Sequence, residues 1–166
     1  MKQRTLSILV DNTAGVLQRV AGLFGRRDYN IDSLTVGETA DPKYSRMTVV
    51  ARGDDQVLDQ ITKQVEKLED VVKVKVLEPD SSVQRELIMI KVRCDAAQRQ
   101  SIVSLASIFR AKIIDVGKES IIIEATGAKG KLEALVDLLN GFEILELART
   151  GLTGLSRGAD DVTYLD

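Results

Sequence analysis

Apolar residues stand at every second position from Thr5 to Val10, with Leu6, Ile8 and Val10 in phase, the period of a strand with one buried face. From Ala14 to Arg27 the period lengthens. Val16, Leu17, Val20, Leu23 and Phe24 recur at three- and four-residue steps and predict a helix with one apolar face. Gly22 and Gly25 inside it cost roughly 1 kcal/mol each relative to alanine, which suits a close approach by the sheet or by another subunit. Asp28-Tyr29-Asn30 closes the helix, Asn30 being suited to a left-handed cap. Ile31 to Thr39 and Arg46 to Arg52 read as two strands joined by a turn that contains Asp41-Pro42. Asp54-Asp55 predicts the cap of a second helix whose Val57, Leu58, Ile61, Val65 and Leu68 share one face, and Val71 to Leu77 alternates again as a strand.

The order is therefore β-α-β-β-α-β. Such a chain folds as a four-stranded antiparallel sheet with both helices on one face, the ferredoxin-like arrangement. Polar Glu78-Pro79-Asp80-Ser81-Ser82 then reads as a linker, and the pattern repeats. Glu86 to Val92 is a strand, and Ala96 to Phe109 a helix with Ile102, Ala106 and Phe109 inward. Lys112 to Val116 and Ser120 to Ala125 are strands about a Gly117-Lys118-Glu119 turn, Lys131 to Leu139 a short helix, and Glu143 to Ala148 the last strand. The expected fold class is α+β, with two tandem βαββαβ domains at residues 1–78 and 85–149, a linker at 79–84 and a glycine-containing tail at 150–166. Halves of this size bury only about 60% of their surface, so a homodimer is expected to complete their cores. Glycine-rich ends order poorly, and the plain expectation for the tail is a flexible terminus; the alternative is a segment ordered on a partner through Leu152 and Leu155.

Composition narrows the chemistry. With 166 residues, 44% hydrophobic and 29% charged, and a net charge of −2, the chain has a soluble globular composition without the basic footprint of a nucleic-acid binder. The start runs straight into a strand pattern, and no stretch approaches the roughly 20 apolar residues of a membrane helix, so a cytoplasmic location without a leader is expected. The single Cys94, at the end of an apolar strand, reads as a small buried hydrophobe. The chain has no histidine, which excludes a Ser-His-Asp triad, a Cys-His pair and a His-containing zinc site. No carboxylate pair stands out for acid–base work, and no residues have metal-ligand spacing.

The candidate chemistry lies in Asp11-Asn12-Thr13-Ala14-Gly15-Val16-Leu17, where a strand turns directly into a helix. Asn12 or Thr13 can cap that helix, its remaining N–H groups point outward with the positive end of the dipole, and Gly15 lets another group approach the backbone. The arrangement suits a carboxylate or phosphate; it equally fits an ordinary capped turn.

This stretch, together with Tyr29-Asn30-Ile31-Asp32-Ser33-Leu34-Thr35-Val36, Ser45-Arg46-Met47-Thr48, Ile108-Phe109-Arg110-Ala111-Lys112-Ile113-Ile114-Asp115-Val116 and Gly154-Leu155-Ser156-Arg157-Gly158, resembles the regulatory (small) subunits of acetolactate synthase, also called acetohydroxyacid synthase. The resemblance covers nearly the whole chain. It implies an N-terminal ACT domain, the ferredoxin-like module that binds amino acids, and a second ferredoxin-like domain. It implies no catalytic site, metal or cofactor in this chain. The partner it implies is a catalytic large subunit expected to use thiamine diphosphate, magnesium and FAD. This subunit would activate that partner and confer feedback inhibition by a branched-chain amino acid, usually valine, bound between the ACT domains of a homodimer. Asn12 and the amides at Ala14, Gly15, Val16 and Leu17 would then hold the ligand carboxylate, with Asn30 and Ile31 reaching in from across the interface. The chemistry agrees: a zwitterion needs amides for its carboxylate, an acceptor for its ammonium and an apolar pocket, which helix-terminal amides, Asn12 or Asn30, and Ile31 with Val16 supply. Asp11 is expected to face solvent, because inward it would repel the carboxylate.

Three other readings are open to the fold. An RNA-binding module would need exposed aromatics on its sheet, where the strands offer Leu6, Ile8, Met47, Val49 and Ala51. A small enzyme would need a clustered acid–base set. A pairing module without a ligand survives the sequence and is separated only by a binding test.

Overall fold

The computed structural model describes residues 1–159. Two compact units are formed, one of Met1–Gln84 joined by the segment that begins at Leu152, the other of Arg85–Gly151.

In the first unit β1 (Lys2–Asp11), α1 (Val16–Arg26), β2 (Asn30–Glu38), β3 (Tyr44–Gly53), α2 (Asp55–Glu66) and β4 (Val71–Leu77) follow the expected order. The strands lie antiparallel in the order β2-β3-β1-β4. Because side chains alternate across a strand, Leu6, Ile8 and Val10 of β1 and Met47, Val49 and Ala51 of β3 all point to one face, where they meet Val16, Val20, Leu23 and Phe24 of α1 and Leu58, Ile61 and Val65 of α2. Asp54 caps α2 as expected, its side chain accepting from the Val57 amide at 2.8 Å. Gly22 and Gly25 are not closely packed against the sheet: nothing lies within 4 Å of a Cβ placed on Gly25, and on Gly22 it would meet only the tip of Arg26.

The second unit repeats the plan with β5 (Ser82–Arg93), α3 (Ala96–Ile108), β6 (Lys112–Val116), β7 (Ser120–Gly127), α4 (Lys129–Leu138) and β8 (Glu143–Arg149), its strands ordered β6-β7-β5-β8. Ile88, Ile90, Val92, Ile121 and Ile123 form its core with Ile102, Ala106, Leu132 and Leu135 of the helices, and Cys94 is buried with them. Asp95 and Gln98 form a capping box at the start of α3.

The duplication extends to local irregularities that composition does not reveal. Each first helix ends on a residue with a left-handed backbone, Asp28 (φ 55°) and Arg110 (φ 54°). Each end is closed by two nested hydrogen bonds: Tyr29 N to Phe24 O around Asp28 N to Gly25 O, then Ala111 N to Ala106 O around Arg110 N to Ser107 O. Tyr29 packs edge-on against Phe24, with ring centroids 6.2 Å apart. Asn30 is therefore not the left-handed cap; it is the first residue of β2. Each following edge strand carries a register shift near its start, between Ile31 and Ser33 and between Ile113 and Asp115. Neither left-handed residue is glycine, so Asp28→Gly and Arg110→Gly should each raise stability, by about 0.5–1 kcal/mol. The gain should be larger at Arg110, since Asp tolerates this conformation better than Arg. Thermal melts of the two variants check the order.

The segment after β8 departs from expectation. Of the tail expected at 150–166, residues 160–166 lie outside the described residues; the part at 150–159 is not a flexible end, for β9 (Thr153–Ser156) pairs with the beginning of β5, the Arg157 amide donating to Ser81 O at 2.8 Å. The linker at 79–84 is likewise structured, a 3-10 turn (Pro79–Ser81) running into β5. The 152–156 segment lies on the face of the first sheet away from the helices. There the register aligns Thr35, Thr48, Ser7 and Lys75 in one row across all four strands. Thr35 Oγ1 donates to Leu152 O at 3.1 Å at one end of the row, and Lys75 Nζ donates to Ser156 Oγ at 2.8 Å at the other. Four extended steps span about 13 Å and three strand spacings about 14 Å, so the segment crosses the sheet at right angles to its strands. Leu9, Val50 and Leu77 are buried on this face, and Leu152 with them, whereas Leu155 is 61% exposed.

Candidate functional site

The strand-to-helix turn owes its form to Gly15. Its φ of 84° and ψ of −4° place it in the left-handed region, and it, not Asn12 or Thr13, is the residue before the first turn of α1. No side chain caps that helix. Asn12 faces the β2–β3 hairpin: its amide donates to Lys43 O at 2.8 Å, and its side-chain Nδ2 to Pro42 O at 2.9 Å and, longer, to Glu38 at 3.4 Å. The first backbone bonds of the helix are Val16 N to Thr13 O, a long 3.5 Å, and Arg19 N to Gly15 O at 3.0 Å. The amides of Leu17 and Gln18, between these two, have no acceptor among the described residues. They point out of the turn with the positive end of the helix dipole.

Asn12, Ala14, Gly15, Val16 and Leu17 are thus brought together. Within one chain Asn30 and Ile31 are not: β1 and β2 run parallel, and Asn30 is level with Gln3 through Arg52, whereas the turn follows Asp11 eight residues further along. That separation is about 27 Å. Asn30 is exposed, and Ile31 packs against the core.

Two residues not read from the sequence complete the turn. Arg19 folds its guanidinium back over the start of its own helix, where a Cβ on Gly15 would lie 2.8 Å from Nη1. It is held there by Asp70, just before β4, with Nε 2.5 Å and Nη2 3.1 Å from the two carboxylate oxygens. Asp70 is fixed in turn by its carbonyl, which accepts from the Asp11 amide at 2.9 Å. The hydrogen bond from Arg19 holds the Asp70 carboxyl below the usual carboxylate range, and its counterpart from Asp70 raises Arg19 above its ordinary value. The four-residue step from Gly15 to Arg19 could have flagged the arginine, since i and i+4 share a helix face. Nothing local flags Asp70.

A cleft of about 430 Å³ elsewhere in the first unit is lined by Lys73, Lys75, Ser81, Ser82 and Ser156 among others, and by none of the residues read as ligand-binding. Among the described residues no three His, Cys, Asp or Glu side chains are grouped to hold a metal ion, and no helix is long and apolar enough to cross a membrane. On the face of the first sheet away from the helices, the row from Thr35 to Lys75 lies under residues 152–156 and is not open to stack bases.

Comparison with known proteins agrees with this architecture. A family model described as the ACT domain of the AHAS small subunit type matches residues 6–73, and one described as the small subunit of acetolactate synthase matches residues 85–158. The chain is 52% identical over 155 residues to a probable acetolactate synthase small subunit of Methanothermobacter thermautotrophicus, covering 93% of this chain and 92% of that one. It is 50% identical over 157 residues to the acetolactate synthase small subunit of Mycobacterium bovis, covering 95% and 94%. Among solved structures, the acetolactate synthase small subunit of Thermotoga maritima superimposes with a TM-score of 0.88 at 45% identity, over 96% of this chain and 99% of that one.

Proposed function

The chain belongs to the acetolactate synthase small-subunit family, and from that premise we propose that it activates a catalytic large subunit and makes it sensitive to a branched-chain amino acid, valine foremost. In this reading the chain has a regulatory, non-catalytic role, and the thiamine diphosphate, magnesium and FAD of the reaction stay with the large subunit. The observation that carries the effector reading is the pair of unclaimed amides at Leu17 and Gln18, opened by a left-handed Gly15. An amino acid carboxylate is the ligand group such amides satisfy.

The edge position of β2 supplies the rest. Antiparallel pairing of β2 with the β2 of a second copy places the start of one strand beside the end of the other. Asn30 and Ile31 of that copy would then lie near Glu38, and Asn12 Nδ2 is already 3.4 Å from the Glu38 carboxylate. The separation of Asn30 from Gly15 within one chain is what a site shared by two chains requires. Asn12 or Asn30 would accept from the ligand ammonium, and Ile31 with Val16 would meet its side chain.

A thermal shift of the purified protein against the twenty amino acids tests the reading. A ligand at a hundred times its dissociation constant stabilises by about 2.7 kcal/mol, a rise of several degrees in a domain of this size. Valine, with leucine or isoleucine beside it, should raise the melting temperature, and serine and phenylalanine should not. A protein that pairs but responds to none of them would be an oligomerisation module without a ligand.

A further inference from the structure

Arg19 is in an electrostatically adverse place. A helix N-terminus carries about half a positive charge, and a guanidinium folded back over it adds a full one. Ordinary helix design puts acids there and bases at the other end. What holds the cation is a carboxylate, Asp70, gripped through two parallel N–H···O bonds in the planar fork geometry by which arginine reads carboxylates. Asp70 therefore has the chemistry of the ligand group that the turn would receive. The glycine also acquires a second reason: a Cβ at position 15 would lie 2.8 Å from Nη1 and displace the guanidinium. Besides Asp70 the guanidinium reaches only the Ala14 carbonyl, Nη2 to O at a long 3.5 Å, which sets it at the turn itself.

We propose that Arg19 is a specificity-determining residue of the effector site, reading the free α-carboxylate of the amino acid, and that Asp70 is an internal carboxylate which occupies Arg19 until the effector replaces it. The inference rests on the site proposed above and deepens it. Binding is then an exchange of one carboxylate for another on the guanidinium, and Asp70, whose side chain is 19% exposed, must turn toward solvent as it lets go. It selects for a free carboxylate: an amino acid amide has nothing to offer the guanidinium. Charge-assisted hydrogen bonds of this kind carry a factor of about ten to a hundred in affinity.

The two partners have opposite expected effects. Valine is titrated calorimetrically into the full-length protein and its Asp70→Asn, Arg19→Lys and Arg19→Ala variants, each first shown by its melting curve to be folded. Asp70→Asn removes the competitor and should tighten binding by about tenfold. Arg19→Ala should weaken it by tenfold or more, Arg19→Lys by less because it keeps the charge without the fork, and valinamide should not bind the unaltered protein. A merely structural ion pair predicts that both partners shift affinity the same way or not at all, and either result overturns the inference while leaving the effector site standing. An unaltered protein that binds no amino acid overturns the functional reading, and this inference with it.

Discussion

Gly15→Asp is expected to abolish the response to valine while leaving the fold intact. The fold should survive because the two local costs are small. A left-handed backbone costs an L-residue about 1–2 kcal/mol, less for Asp, whose short side chain hydrogen-bonds locally. The new Cβ collides with the tip of Arg19, the far end of a flexible side chain that can shift at the expense of its Asp70 bonds, and meets no backbone. The site should not survive. An aspartate there brings its own carboxylate into the turn that holds the Arg19 guanidinium and the amides of Leu17 and Gln18, the groups proposed above to receive the ligand carboxylate. Losing two charge-assisted hydrogen bonds of about 1.5–3 kcal/mol each lowers affinity by more than 100-fold. Gly15→Ala has the same backbone and the same Cβ without the charge, and should weaken binding by roughly tenfold. Calorimetric titration of both variants, with the valine concentration for half-inhibition of the reconstituted enzyme, separates bulk from charge. Unchanged inhibition in the Asp variant would place the effector elsewhere.

Period alone carried the element order, because apolar positions at steps of two and of three to four map directly onto buried faces. Every strand and helix expected from that pattern is present, with ends displaced by a few residues where backbone pairing continues past the apolar run, as at Lys2–Asp11 against an expected start at Thr5. Caps were less legible. Asp54 acts as read, since an acid beside a helix start has one obvious use. Asn12 does not, because a hairpin carbonyl 30 residues away, Pro42 O, competes successfully for its side chain. The identity of Gly15 as the hinge of the turn was readable; its left-handed backbone was not, since glycine is at ease on either side of φ zero. Asp70 was invisible for the same reason as Pro42. Its role depends on a contact across 51 residues that no local pattern encodes.

The second unit shows the opposite limit. Its resemblance to the first lies in backbone geometry: the left-handed turn recurs with Arg110 in place of Asp28, and the register shift after Ile113 ends on Asp115 where the first ends on Ser33. Sequence patterning recovers the order of elements and misses such details, since many residues are compatible with one backbone and the tertiary pairing selects among them.

The segment at 152–156 was the largest misreading, and a single methyl group at Gly154 should reveal its place. Glycine-rich composition suggested a loose end, but here smallness serves contact. A Cβ on Gly154 would lie 2.8 Å from Val83 O, 2.9 Å from Gln84 Cγ and 3.2 Å from Leu77 Cδ1. The first of these is backbone, bound into the pairing of β5 with β9, and cannot rotate away. Gly154→Ala should therefore lift the segment from the sheet and uncover Leu9, Val50 and Leu77, at a cost of about 2 kcal/mol, which lowers the melting temperature of a unit this size by roughly 10 °C. Trypsin should then cut at Arg149 and Arg157, which flank the segment, much faster than in the unaltered protein. Gly25→Ala is the matched control, because a Cβ there meets nothing within 4 Å and alanine is the better helix former by about 1 kcal/mol. The same substitution should thus destabilise at one glycine and stabilise at the other, and the sign follows from what each Cβ would meet. Equal melting temperatures and equal protease resistance in the Gly154 variant would remove the segment from the sheet face, and with it the reason this face is buried.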